Sequence, residues 1–248
     1  CGMMRAVIPK ATLQRIIVQA SIVSNDDLNL EYQPEGWLIE GVDAAHVAMI
    51  RMSVDRKAMD EYELNSESDA DRYTQIPLRK LSEALSTITE DGSVSITDDG
   101  AFVCVDCGRM HRKIRKEGEY GPDRKPRIPK LDLACSVMFD TNEIYAMMKK
   151  GSSISDHIII TCGPDGLKIS LVGDTESASY ENPDIVTDDG QTYTSMFPLD
   201  YICDALNGFR GEVVMELDTN YPLKLMTMDP FVSVYLLAPR VEEGEDVE

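Results

Sequence analysis

The sequence has no apolar run near the roughly 18 residues of a membrane-spanning helix, so a soluble protein is expected. It is poor in positive charge: 24 Lys+Arg stand against 44 Asp+Glu, a net charge of −20 over 248 residues. That excludes a module gripping phosphate with a uniformly basic surface. Histidine is scarce, limited to His46, His111 and His157. There is no Gly-x-Ser-x-Gly elbow, His-Glu-x-x-His pair, glycine-rich phosphate loop or dinucleotide fingerprint, and no nucleophile is paired with a placed base. An enzyme with an unfamiliar site, such as an acidic hydrolase of unrelated fold, stays open, but no residue argues for it. No secretory signal is visible, and the native start is expected at Met3 or Met4, with Cys1-Gly2 foreign to it. Five cysteines then remain: Cys104, Cys107, Cys135, Cys162 and Cys203. An odd number of thiols in a chain long enough to bury a core points to a reducing compartment, the cytoplasm or nucleoid, or the nucleus in a eukaryote.

Metal chemistry finds little support. Cys104-Val105-Asp106-Cys107 is a CxxC without the second pair that a zinc ribbon needs, and in a strand its two thiols would face opposite ways. Asp98-Asp99-Gly100 and Asp188-Asp189-Gly190 begin like calcium loops, but neither continues into the twelve-residue ligand pattern, so both read as turns. No catalytic residue, metal ligand or cofactor is expected.

What the sequence does contain is a repeat. The alternating stretch MRAVI leads into a helical face of Leu13, Ile16, Ile17 and Ala20; CSVMF leads into Ile144, Met147 and Met148. A strand–turn–strand follows each, LNLEYQPEGWLIEGV and IIITCGPDGLKISLV, with Pro-acid-Gly at the turn. A second unit repeats as well: Leu78, Leu81, Ala84 and Leu85 after Pro77 match Leu199, Ile202, Ala205 and Leu206 after Pro198. Proline belongs in a first helical turn, where its missing N–H costs nothing. The strands SVSI and FVCVDC follow in the first half, and EVVMEL, LKLMTM and VSVYLL in the second. The chain is therefore α+β, with two similar domains of antiparallel sheet carrying two helices each. The expected boundaries are residues 3–117, a connecting loop 118–132, residues 133–240 and an acidic tail 241–248. The connector holds Pro122, Pro126 and Pro129 and has no strand or helix period. It is either a plain spacer or, given Ile128-Pro129-Lys130-Leu131, a segment lying along a surface.

Charge is unevenly placed. Residues 109–130 hold nine of the 24 basic side chains. The four helical segments, with Arg210 at the end of the last, hold seven basic residues (Lys10, Arg15, Arg79, Lys80, Lys149, Lys150 and Arg210) and four acidic ones. Exposed helical faces are charged in any case; alternatively, four short helices at repeated positions share one surface.

These features resemble the sliding clamps of the proliferating cell nuclear antigen family, in a form suggesting an archaeal member. The resemblance rests on the two similar halves, the proline-bearing connector and the Asp43-Ala44-Ala45-His46-Val47 turn. It also rests on the ending Tyr235-Leu236-Leu237-Ala238-Pro239-Arg240 with its acidic tail, and it spans Met4 to Arg240. It implies a homotrimeric head-to-tail ring that encircles duplex DNA without reading its sequence and tethers a polymerase, nuclease or ligase, with a separate loader and no catalysis. A subunit of a heterotrimeric or checkpoint ring is the alternative. The resemblance places Arg15 and Lys149 in the bore, with Lys10, Arg79, Lys80, Lys150 and Arg210 beside them. Asp200 and Asn207 depart from it, standing where the family often has Arg and Lys. A partner-peptide pocket is implied at Val42, His46, Val47, Ile128, Pro129, Pro222, Leu236, Ala238 and Pro239.

The resemblance also makes residues 109–116 an edge strand facing residues 174–184 of a neighbouring subunit. Arg109, Arg112 and Lys113 would then oppose Asp174, Glu176, Glu181 and Asp184. Such rim pairs set register more than affinity. Reversing Arg112 and Lys113 to Glu is expected to shift the assembly toward monomers at low salt; an unchanged light-scattering mass contradicts this.

Overall fold

The computed structural model describes residues 3–24, 26–66 and 68–241. Cys1-Gly2 and, apart from Val241, the acidic tail lie outside the described residues. The chain divides into two compact units, Cys1–Pro129 with Met228–Val234, and Lys130–Thr227 with Tyr235–Glu248.

In the first unit, β1 (Met4–Pro9), α1 (Lys10–Ala20), β2 (Asp27–Gln33), β3 (Gly36–Val42), β4 (Ala48–Asp55) and β5 (Glu61–Leu64) precede β6 (Tyr73–Pro77), α2 (Leu78–Ser86), β7 (Ser93–Asp98), β8 (Phe102–Cys107) and β9 (Met110–Arg115). The second unit runs β10 (Cys135–Asp140), α3 (Asn142–Lys150), β11 (His157–Gly163), β12 (Gly166–Val172), β13 (Ser177–Asn182), then β14 (Tyr193–Pro198), α4 (Leu199–Gly208), β15 (Glu212–Leu217) and β16 (Leu223–Thr227); of β17 (Val232–Leu237), the first three residues are counted with the first unit and the last three with the second. In the first unit the strands order as β5-β1-β7-β8-β9 and β4-β3-β2-β6; in the second, as β13-β12-β11-β14 and β10-β15-β16.

Each unit is two strand–helix–strand motifs that exchange their first strands. β1 pairs with β7 of the other motif, and β6 pairs back with β2. Likewise β10 pairs with β15, and β14 with β11. All four pairings are antiparallel. A helix separates the first strand from the rest of its motif, so neither motif can complete a sheet alone. Apart from β3 and β9, the strands largely alternate buried and open residues, as a sheet with one face on a core requires. The helices bury the apolar stripes read from the sequence, with Leu13, Ile16, Leu81, Leu85, Ile144, Met148, Ile202 and Leu206 among the fully packed residues.

The helix starts differ from the sequence expectation in one respect. Pro77 and Pro198 occupy the N-cap position at the end of a strand, one residue before the first helical turn. No side chain caps either helix. Instead the first helical N–H donates to a backbone carbonyl of a neighbouring loop, Leu78 to Asp26 at 2.9 Å and Leu199 to Asp156 at 2.9 Å. Lys10 N–H bonds the Gly92 carbonyl in the same way at 2.8 Å. The strand exchange places these carbonyls, which satisfy donors that otherwise need a side chain.

The two hairpin turns are equivalent. Gln33 pairs with Gly36, and Gly163 with Gly166, leaving Pro34-Glu35 and Pro164-Asp165 as the loops. Gly36 and Gly166 have φ of +140° and +118°. A Cβ on Gly36 would lie 2.0 Å from the Val54 carbonyl oxygen, and one on Gly166 would lie 2.5 Å from that of Asn182. Glycine is demanded by both the dihedral and the close backbone. Gly36→Ala or Gly166→Ala should therefore lower stability by roughly 2–3 kcal/mol in urea unfolding, the scale of a strained backbone residue. Gly190→Ala, where a Cβ meets nothing within 4 Å, should cost only about 1 kcal/mol.

Candidate functional site

The connector is held against the first unit. Lys125 Nζ lies 2.7 Å from Glu31 Oε2 on β2 and 3.3 Å from Glu40 Oε2 on β3, the second contact lacking hydrogen-bond alignment. Glu40 is 4 % exposed and also faces Arg51 at 3.4 Å. Burial works against the charge on Lys125, but the Glu31 hydrogen bond and the two carboxylates win and raise its pKa. Burial opposes the charge on Glu31 too, yet its bonds from Gln33 and Lys125 bring its pKa below the usual carboxylate value. Upstream, the Tyr120 ring meets Tyr73 of β6 edge-on at 5.9 Å. Gly118 is pressed so closely against Gln75 of β6 that a Cβ would sit 2.3 Å from its Oε1. Residues 118–125 thus lie along the outer side of β6, β2 and β3, while Ile128 is half-buried and Pro129 exposed. A cleft of about 110 Å³ opens between the connector (Arg124, Pro126), the end of α1 (Ala20, Val23) and β3 (Glu40, Val42).

Of the residues expected to line a peptide pocket, Val42 ends β3 and Val47 precedes β4, both half-buried. His46 is exposed, with a left-handed φ of 58°. The neighbouring Asp43 closes this turn: its Oδ1 accepts from the N–H of Val47 at 2.7 Å and of Ala48 at 2.8 Å. The sequence marked Asp43 as part of this turn but gave the capping role to His46, although an Asp side chain is the usual acceptor for backbone N–H groups in a turn. In the second unit Leu236 is buried and Pro222, Ala238 and Pro239 are half-buried. Arg240 fixes that end, with its N–H on the Met196 carbonyl at 2.8 Å and its guanidinium 2.8 Å from Asp156. The bonds from Arg240 and His157 pull the Asp156 pKa down to about 2.

The helix-borne cations differ between the units. In the first, Arg79 pairs with Glu83 at 3.0 Å, Lys80 pairs with Glu117, and Lys10 Nζ donates to the Ile88 carbonyl at 2.5 Å. Arg15 is half-buried. In the second, Tyr145 of α3 gathers the charge. The Arg210 guanidinium stacks 3.4 Å from its ring centre, and Lys149 Nζ lies 5.6 Å from it. The Tyr145 hydroxyl donates to Asn207 Oδ1 at 2.9 Å. Arg210 lies two residues beyond the last helical residue, Gly208, rather than at the helix end. Lys150 is exposed, and Asp200 sits in the first turn of α4.

β9 and β13 are edge strands of their sheets. Their charged residues have partners within the chain: Arg112 faces Glu83 at 3.8 Å, Lys113 faces Asp99 at 3.5 Å and the Phe102 ring at 4.1 Å, and Glu181 faces Lys168 at 2.8 Å. Arg109 lies in the turn before β9, and Asp174 and Glu176 in the turn before β13, all exposed. The basic end of β9 is also tied inward, where Lys116 meets the fully buried Asp98 at 2.9 Å and Tyr32 donates to the same carboxylate at 2.9 Å. No cluster of three or more His, Cys, Asp or Glu able to hold a metal occurs among the described residues. No helix among them is long and apolar enough to cross a membrane.

No protein-family model matches the chain. It is 26 % identical over 247 residues to a DNA polymerase sliding clamp of Archaeoglobus fulgidus, covering 95 % of this chain and 98 % of that protein. It is equally 26 % identical over 249 residues to the DNA polymerase sliding clamp of Methanothrix thermoacetophila, covering 97 % and 100 %. Among solved structures, A. fulgidus PCNA bound to the C-terminal region of FEN-1 superposes with a TM-score of 0.85 at 21 % identity, over 98 % of this chain and all of that one. PCNA from Entamoeba histolytica gives 0.86 at 17 % identity, over 97 % and 100 %.

The connector contacts yield a test. Lys125→Ala should raise amide exchange across residues 118–127 and lower stability by about 1–3 kcal/mol, the range for charged hydrogen bonds. Because the Glu31 pKa is lowered on folding, its contribution is present above its unfolded value and lost as pH falls through the folded one. Acidification should therefore loosen the wild-type connector and change the variant little.

Proposed function

We infer that the chain belongs to the DNA polymerase sliding clamps and works as a processivity factor, encircling duplex DNA and tethering replication and repair enzymes. The end-to-end match to relatives bearing that name carries this reading. The fold agrees with it, being that of PCNA structures along nearly the whole chain. Tethering raises the effective concentration of an enzyme at its template without any new chemistry. We propose accordingly that the protein itself has no catalysis and acts in the cytoplasm, on the nucleoid, after a loader opens the ring.

The ring we propose is a head-to-tail homotrimer of two clamp domains per chain, residues 3–117 and 133–240, joined by the connector 118–132. β9 of one copy would pair with β13 of the next, removing both exposed edges. In this reading α1 to α4 line the bore, with Lys10, Arg15, Arg79, Lys80, Lys149, Lys150 and Arg210 toward the phosphates. The surface pairing of Arg79 with Glu83 and of Lys80 with Glu117, and the bond from Lys10 to a backbone carbonyl, leave the first domain a weak grip. The Tyr145 stack leaves the second a more concentrated one. Weak, sequence-blind contact suits sliding. Val42, His46, Val47, Ile128, Pro129, Pro222, Leu236, Ala238 and Pro239 are proposed to receive a short partner peptide, such as the FEN-1 C-terminal region bound by the A. fulgidus protein.

Topology tests the reading. Light scattering should give the mass of three chains. Protein loaded on a nicked circular duplex should stay bound through a high-salt wash and be lost on linearisation. A monomer at working salt, or equal loss from circle and line, contradicts it.

A further inference from the structure

The two units are duplicates, and their differences mark where one has acquired something the other lacks. In the first unit β1 is flanked on both sides, by β7 and by β5. In the second unit its counterpart β10 pairs, among the described residues, with β15 alone and forms the end of its sheet. The segment that stands where β5 would be, residues 183–192, is turned toward β11. There Thr187 N–H donates to the Gly163 carbonyl at 3.3 Å and the Thr187 hydroxyl to the Gln191 carbonyl at 2.7 Å. Among the described residues it makes no backbone hydrogen bond to β10.

The open face beside this edge also differs. Met138, Val214 and Met226 face one another across β10, β15 and β16, and Met138 is 61 % exposed. The corresponding row of the first unit is Val7, Ser95 and Asp106, largely polar. Methionine packs adaptably against varied apolar side chains. On the same face Asp140 lies directly opposite Glu212 with no cation between them in the register. Asp188 and Asp189, both exposed, lie near Cys135 at the other end of β10. The edge is thus apolar at its centre and acidic at both ends.

The first unit shows how such an edge is covered. β5 pairs with β1 from Met4–Leu64 to Val7–Glu61, and its Glu61 forms an ion pair with Arg5. The covering strand brings the charge opposite to that of the strand it covers. We propose that β10 is a strand-addition site for an extended segment of a partner protein, apolar at alternate positions and bearing Lys or Arg at its ends. Backbone bonds to β10 supply the affinity, Met138 and Val214 seat an apolar side chain, and the carboxylates select the charge. None of these residues is among those proposed above for the bore or for the peptide pocket.

The test uses the full chain and a synthetic peptide of alternating valine and threonine between paired lysines. Amide exchange of residues 135–140 in the free protein should be faster than that of β15, and the peptide should slow it. A peptide with glutamates at its ends should bind at least about tenfold more weakly, and one with a central proline should not protect β10. Met138→Lys, at an exposed position, should abolish peptide binding with the melting temperature and assembly mass unchanged. The proposal is overturned by no binding, by binding without protection of 135–140, or by equal binding of the glutamate peptide. It is equally overturned if the free edge is already as protected as β15. Protection that rises with protein concentration alone assigns the edge to a second copy and likewise overturns it.

Discussion

Exchange of first strands between paired motifs is the constraint on which the rest of each unit depends. β1 leaves β2, β3 and β4 of its own motif for a sheet built on β7 of the other, with only β5 beside it from its own. β6 is committed to β2 in return. The exchange fixes where the helices begin. Lys10, Leu78 and Leu199 each start a helix with an N–H bound to a carbonyl that the neighbouring motif brings alongside. It also explains why α1, α2 and α4 survive at 9–11 residues without a capping side chain, whereas the first N–H of α3 bonds Asp140 Oδ1: helices this short are marginal alone and depend on packing.

Electrostatics follow from the same placement. A net charge of −20 repels phosphate. The chain's cations are dispersed by use, however. Lys116 is spent on the buried Asp98, and Lys125 on anchoring the connector to Glu31 and Glu40. Arg79 and Lys80 are neutralised by Glu83 and Glu117. Among the helix-borne cations, what remains concentrated is the cluster around Tyr145, where an aromatic face holds a guanidinium by stacking. A clamp that must slide is served by few cations held in place, and the proposed function rests comfortably on so acidic a chain.

Much of the fold was legible because the sequence repeats. Leu13 and Ile144, Leu78 and Leu199, and the Pro-acid-Gly turns recur at matching places, and each lies where its period put it. β4, β5, β6 and β14 were not read as strands, β5 being only four residues long; β13 was placed only through the resemblance, near residues 174–184, and is Ser177–Asn182. The candidate site was legible as a list of residue types and not as partnerships. Nothing in the spacing of residues 109–116 revealed that Arg112 and Lys113 already face Glu83 and Asp99. Nor did the connector's prolines announce that Lys125, rather than its apolar end, fastens it.

The sequence by itself determined the duplication, the helical and strand periods, the glycine turns and the excess of acid. These are local properties, written in composition and spacing within a few residues. Only the tertiary structure decided which charges are spent and which are left. It also decided that Asp43 rather than His46 closes its turn, and that β1 is covered while β10 is not. Those outcomes depend on side chains tens of residues apart meeting across exchanged strands, and no local pattern encodes which of several like-charged residues will arrive at the same place.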